Sequence, residues 1–356
     1  MGGDSGTQKT GRLGTKPEDF AAHGIVQGSP EVWEDGQRLE ELGPGMYEWW
    51  YCDARFSNGM ILVAVFRLDG DEKGAPLQQI HLSISDGDRV MADQILDFKP
   101  EEVSADKERC DVSIGSSHFR SVDGLDTYEI FVDPATNNGF GADLKLERTV
   151  PSYRPGAGFW ENEDGEYFAW LNAVPGGRMT GTVTANGETS EVEGSGYHDH
   201  NWGNVPMDAL FSDWLWGRAE IDGTTVVMVT VRFNENNGAA ETPLLYVAKG
   251  EDVIVDAVNE EVVSLDGVKV RHPTTGKRIN SDCIFIVRED LGDATVRFAG
   301  HDIISTQQLP SSSAEWETWY LRFAAETTLD IRVDGKEVQA KGPSVLESMD
   351  FFGGKI

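Results

Sequence analysis

The stretch 194–204, GSGYHDHNWGN, sets a tyrosine, two histidines, an aspartate, an asparagine and a tryptophan in six consecutive positions. In a strand, alternate side chains point to opposite faces, so Tyr197, Asp199 and Asn201 share one face and His198, His200 and Trp202 the other. Charged and amide groups are rarely buried without partners, and a solvent-facing strand has no need of Trp202. A cavity wall that carries an acid among indoles accounts for both features. A carboxyl in such a pocket is hard to ionise, because desolvation disfavours the charged form, and it can serve as a general acid near neutrality. Asp199 is the candidate proton donor, with Tyr197 beside it and His198 or His200 to hydrogen-bond it. A proton delivered to an alkene or an epoxide leaves a carbocation, which a tryptophan face attracts by roughly 0.5–2 kcal/mol.

Other segments supply the rest of such a site. In MYEWWYCD (46–53), Tyr47, Trp49 and Tyr51 share one face, and Glu48, Trp50 and Cys52 the other. In EYFAWLNAVP (166–175), Phe168 and Trp170 share a face, and FSDWLWGRA (211–219) adds Trp214 and Trp216. The candidate catalytic set is Asp199, Tyr197, His198, His200 and Glu48. The candidate substrate-binding set is Trp50, Trp170, Asn201, Trp202, Trp214 and Trp216. Plainer roles compete: aromatic residues pack in strands, and Glu48 could be bonded to backbone or to Arg218. His198-x-His200 is a spacing that zinc and iron sites use, but no third ligand is evident, and the expectation is no metal. There is no Gly-x-Ser-x-Gly elbow, phosphate-cradling loop or dinucleotide fingerprint; the expectation is no cofactor.

These residues must be positioned by β-structure. Asn58-Gly59, Asp86-Gly87, Asn186-Gly187, Asp222-Gly223, Asp334-Gly335 and similar pairs supply the positive φ angles of tight hairpins. Between such pairs lie short runs rich in β-branched and aromatic residues, among them MILVAVFRL (60–68) and TTVVMVTVRF (224–233). The spacing predicts an all-β chain of antiparallel sandwiches or barrels, with a short connecting helix near 207–211. The expected organisation is a flexible arm over 1–30, an N-terminal β domain over 31–204 and a C-terminal β domain over 205–356. The polar motif then falls near the junction, where clefts favour small ligands.

Composition narrows the partners. Sixty-one acidic against thirty basic residues give a formal charge of −31, which argues against nucleic acid and anionic membrane surfaces. The three cysteines, Cys52, Cys110 and Cys283, are too few and too widely spaced for a disulfide framework. No apolar run is long enough to span a membrane, and neither an apolar leader nor an Asn-x-Ser/Thr sequon is present. The expectation is a cytoplasmic protein with a hydrophobic small-molecule substrate and no stable membrane insertion.

EWWYCDARFSNG, followed some 150 residues later by GYHDHNWG and closed by GPSVLESMDFFG, resembles the lipocalin-like hydratase and cyclase family. That family includes carotenoid 1,2-hydratase and kievitone hydratase, with fungal Diels–Alderases as more distant relatives. The resemblance implies two lipocalin-like antiparallel barrel or sandwich domains and cofactor-independent chemistry on isoprenoid or prenylated natural products. Hydration, cationic rearrangement, cyclisation and pericyclic ring closure all occur in it. It also implies that Tyr197 and Asp199 form the acid pair, assisted by an upstream His-x-Trp pair. Trp170 matches the tryptophan of that pair, whereas Phe168 stands where its histidine would be, a departure from the carotenoid hydratases; YHDHNWG with YFAWLNAVP more resembles the kievitone-hydratase-like and fungal prenylated-metabolite branch. Two alternatives stay open: a pericyclase whose pocket only folds a polyene, and a lipocalin-type carrier.

Overall fold

The computed structural model of the chain describes residues 9–71, 73–86, 89–309, 311–313 and 315–352. Gly87 of the Asp86–Gly87 turn and residues 1–8 of the expected arm lie outside the described residues. Between Lys9 and Ile25 the arm segment packs against the rest of the chain, whereas residues 26–29 are exposed. Arg12–Leu13 pairs with Trp160 and Glu161, Arg12 clamps Asp19 with two bonds of 2.6 and 2.8 Å, and Phe20 and Ile25 are buried.

The fold is all-β and antiparallel, with two nearly closed, lipocalin-like sheets. The first runs in the order 89–98, 76–86, 60–70, 47–56, 188–203, 167–185, 141–148, 127–132 and on to 103–105. The second is built around 224–233, 211–221, 336–350, 318–333 and 293–309. The helix Met207–Leu210 connects them. Asn186 and Asp222 adopt φ of 54° and 52°, each followed by a glycine with positive φ, so these turn pairs close hairpins as their chemistry requires.

Each sheet encloses an apolar core: Trp50, Phe66, Phe119 and Tyr128 in the first, Phe285, Phe298, Leu321 and Phe323 in the second. A third core lies between the sheets and includes Trp160, Phe168, Trp170, Tyr197, Trp216 and Tyr246. Trp160 Nε1 donates to Thr242 Oγ1 across this junction (2.8 Å), and Tyr246 Oη donates to the Pro151 carbonyl (2.8 Å). The strand Glu188–Gly203 passes between the layers. Its first residues are exposed, but from Gly196 to Gly203 every residue is buried, because one face lines the interior of the first sheet and the other faces the second sheet. A side chain at Gly196 would collide with Leu146 and Met179 at under 3.1 Å, so glycine lets that crowded strand pass.

Candidate active site

A cavity of about 830 Å³ lies between the two sheets. Its walls come from the 47–56, 60–70, 167–185 and 188–203 strands on one side and the 211–221, 224–233, 318–333 and 336–350 strands on the other. Alternation on 188–203 aims Tyr197, Asp199 and Asn201 toward this side. Asp199 is 7% exposed and lines the cavity. Its Oδ2 accepts from Tyr197 Oη (2.7 Å) and Trp170 Nε1 (2.9 Å), while Oδ1 accepts from Asn201 Nδ2 (2.7 Å). Oδ2 is thus saturated, and Oδ1 keeps one position for a proton. Burial pushes the Asp199 carboxyl up to about 6, against the opposing pull of the Trp170, Tyr197 and Asn201 donors and the charge of His198. Trp214 and Trp216 line the cavity with Trp170, as do Trp49 and Trp160.

The other face of the motif does something else. His198 and His200 do not bond to Asp199; they point into the first sheet. His198 Nδ1 lies 2.9 Å from the Tyr51 carbonyl and Nε2 3.1 Å from Asp35 Oδ2. Both nitrogens therefore face acceptors. Burial opposes charge on this ring, but Asp35 outweighs it and raises the pKa. His200 reaches the Glu34 carbonyl at 3.2 Å and Glu48 Oε1 at 2.9 Å. Glu48 is fully buried and also accepts from the backbone N–H groups of Arg38 (2.6 Å) and Leu39 (2.9 Å). It is away from the cavity and is not bonded to Arg218. Trp50 stacks on His200 at 4.5 Å and donates to the Asp35 carbonyl at 2.9 Å; the Trp202 ring lies 4.7 Å from that of His200, tilted to it. His198, His200, Glu48 and Trp50 therefore pin segment 34–39 across the interior of the first sheet, with Trp202 packed against His200. The reason is strand parity: each lies one residue out of phase with the cavity-facing set. The structure also brings Asp35 and Cys110 to His198, with one potential ligand atom from each lying within 4.8 Å of the others.

Sequence reasoning overlooked a charged cluster in the same cavity region. Asp53 pairs with Arg218 and lies 3.5 Å from Arg322, and Arg322 Nε lies 3.3 Å from Glu347 Oε1. Burial works against the Asp53 charge, but Arg218 and Arg322 outweigh it and hold its pKa low. Burial pushes Glu347 up to about 7, against Arg322. The signal was available: Asp53 and Arg55 continue the face of Trp49 and Tyr51, and Arg218 that of Trp214 and Trp216.

These pKa shifts have a consequence for stability. Asp199 and Glu347 ionise less readily folded than unfolded. The stability each contributes is fully present below the unfolded carboxylate value and is lost as pH rises through about 6 and about 7 respectively. Asp199→Asn should therefore raise stability at pH 8 by on the order of 1–3 kcal/mol, with little gain at pH 4. Denaturant midpoints at both pH values check this; an equal change at the two would contradict it.

Residues 151–278 match the carotenoid hydratase CrtC family. A protein named hydroxyneurosporene dehydrogenase, from Chlorobaculum tepidum, is 26% identical over 213 residues, 49% of this chain and 54% of that protein. The chain thus spans about half the length of that curated relative. Among solved structures, CghA is similar over 98% of this chain and 99% of its own, with a TM-score of 0.67 at 13% identity. An AttH protein of Nitrosomonas europaea gives 0.60 at 16% identity, covering 92% and 98%. Kievitone hydratase from Nectria haematococca gives 0.54 at 15% identity, covering 92% and 97%. At such identities the structural likeness is one of fold, and it agrees with the resemblance carried by the sequence motifs. Among the described residues no helix is long and apolar enough to cross a membrane.

Proposed function

We propose that this chain is an enzyme of natural-product metabolism that protonates an alkene or an epoxide of an isoprenoid or prenylated substrate. The reaction takes place in the cavity where domains 31–204 and 205–356 meet. One observation carries the reading: Asp199 is a buried carboxyl with a raised pKa, three hydrogen-bond donors and one oxygen position free toward an indole-lined cavity. The proton leaves Oδ1 for a substrate carbon or epoxide oxygen. Trp170, Tyr197 and Asn201 steady the carboxylate that remains, and the faces of Trp214, Trp216 and Trp49 steady the cation. In a hydration, water adds to the cation and its surplus proton returns to Asp199; in a rearrangement or cyclisation, loss of a neighbouring proton ends the sequence. The match to the carotenoid hydratase family supports this class of chemistry.

The test is incubation in D₂O with neurosporene, a prenylated isoflavonoid and a prenyl epoxide, followed by mass spectrometry. A product that gains one water, or an isomer of the substrate, is expected, with deuterium on carbon where an alkene was protonated. Ring closure of a substrate that carries no epoxide, without deuterium on carbon, would favour a pericyclase, and binding of all three without conversion would favour a carrier.

Trp170 positions the acid. Trp170→Phe keeps a ring against Tyr153 and Trp160 but removes a donor that lowers the Asp199 pKa. The alkaline limb of the rate profile should move to higher pH. A limb that stays in place would show that the indole N–H does not govern this acid.

A further inference from the structure

The two ends of the cavity differ in chemistry. Strand register fixes the order along one wall: Asn201 opposite Trp49, Asp199 opposite Tyr51, Tyr197 opposite Asp53, Ser195 opposite Arg55. The facing wall runs in parallel, from Trp214 opposite Met349, through Trp216 opposite Glu347, to Arg218 opposite Val345. One end is therefore indole and hydrocarbon, and toward the other gather Arg55, Arg218 and Arg322.

These guanidinium groups are not equally satisfied. Arg218 is held by Asp53. Arg322 is 8% exposed and makes only long contacts, 3.3 Å to Tyr51 Oη, 3.5 Å to Asp53 Oδ2 and 3.3 Å from Nε to Glu347 Oε1, the last an ion pair without hydrogen-bond geometry. Arg55, half-buried and lining the cavity, makes one bond among the described residues, 3.4 Å to the Ser344 carbonyl. Against three cations the buried carboxyls are Asp53 and Glu347, the second only partly ionised near neutrality; Glu220 lies near Arg218 but is exposed, and Asp93 and Asp302, which also line the cavity, are exposed, Asp93 being paired with His81. Buried positive charge without a counter-charge is costly. It is also out of character in a chain with sixty-one acidic and thirty basic residues.

We infer that the Arg55–Arg322 end of the cavity receives an anionic oxygen head group of the substrate, a carboxylate or an ionised enol, while its hydrocarbon tail lies among the indoles. The inference rests on the reading of the cavity as a substrate site and narrows the substrate to an amphipathic acid. Arg55 lies four residues along the strand from Tyr51, the residue opposite Asp199. Along that strand the two backbone positions are thus roughly 13 Å apart.

Tryptophan fluorescence titrations of the full chain with farnesoic acid, its methyl ester and a farnesylated 4-hydroxycoumarin test this. The acid should bind at least about tenfold more tightly than the ester, as a charge-assisted guanidinium–carboxylate pair allows. In Arg55→Met the two should bind within a factor of about 3. The coumarin outranking the acid would identify an enolate head rather than a carboxylate, within the same inference. Equal binding of acid and ester to the wild type with no advantage for the coumarin, a preference that survives Arg55→Met, or no binding by any of the three would overturn it. Asp199→Asn separates the two readings, because it should keep the anion preference while losing turnover. If the preference is absent and Asp199→Asn is inactive, only the head-group inference fails. If the preference is present and Asp199→Asn turns over normally, only the acid reading fails.

Discussion

Asp199→Asn should fold normally and turn over at least about 10²-fold more slowly than the wild type. Asparagine keeps the shape, and its amide oxygen still accepts from Trp170 and Tyr197, so the cavity and substrate binding should change little. What is lost is the titratable proton. The wild-type profile carries the matching sign. The protonated form is the active one, so the rate should be highest on the acid side and fall as pH rises through the Asp199 value of about 6, by about tenfold per unit well above it. Substrate that displaces the remaining water moves the limb further up, since loss of water around the carboxyl is what raises its pKa. Asp199→Asn should lack this limb. A pericyclase that only folds a polyene would show neither the loss nor the limb. Near-wild-type turnover by folded Asp199→Asn would end the acid assignment; Glu347 would then be the next group to substitute, because it is the other cavity carboxyl with a raised pKa.

The parity of the strands could be read from the chain, and the layer that each face meets could not. Alternation correctly kept Tyr197, Asp199 and Asn201 together and separated them from His198, His200 and Trp202. It also put Glu48 and Trp50 on a face apart from Trp49 and Tyr51. But 196–203 is buried on both faces, and no local pattern tells a cavity wall from the wall of a sheet interior when both are rich in aromatic residues. The partners of the histidines were hidden for a further reason. Glu34 and Asp35 lie in VWED, an acidic stretch that reads as solvated surface, yet they are 2% and 0% exposed. Their anchors are distant in sequence: Arg154 binds Glu34, and Tyr128 donates to Asp35 at 2.7 Å. The charges around the cavity pair over similar distances, Asp53 with Arg218 and Arg322, and only the stacking of one sheet on the other brings them together.

Glu48→Ala should cost about 3–5 kcal/mol of stability, and this is where the structure most changes the meaning of a residue. Glu48 was a candidate acid, yet its two oxygens are occupied by two backbone N–H groups and His200, in a site with no exposure. Truncation leaves all three without a partner in the interior, and segment 34–39 loses its tie to the motif strand. Glu48→Gln should fall between alanine and the wild type, because its amide keeps one accepting oxygen but turns an NH₂ toward a backbone donor. Urea midpoints measure these losses, and turnover per folded molecule, assayed well below the midpoint, separates them from chemistry. Activity per folded molecule should remain within about threefold of the wild type, the range expected when only the folded population changes. A Glu48→Gln protein with wild-type stability and a hundredfold loss in rate would return Glu48 to the reaction. It would also require a path from the first-sheet interior to the cavity through the strand Glu188–Gly203, the layer that now divides the acid from the histidines.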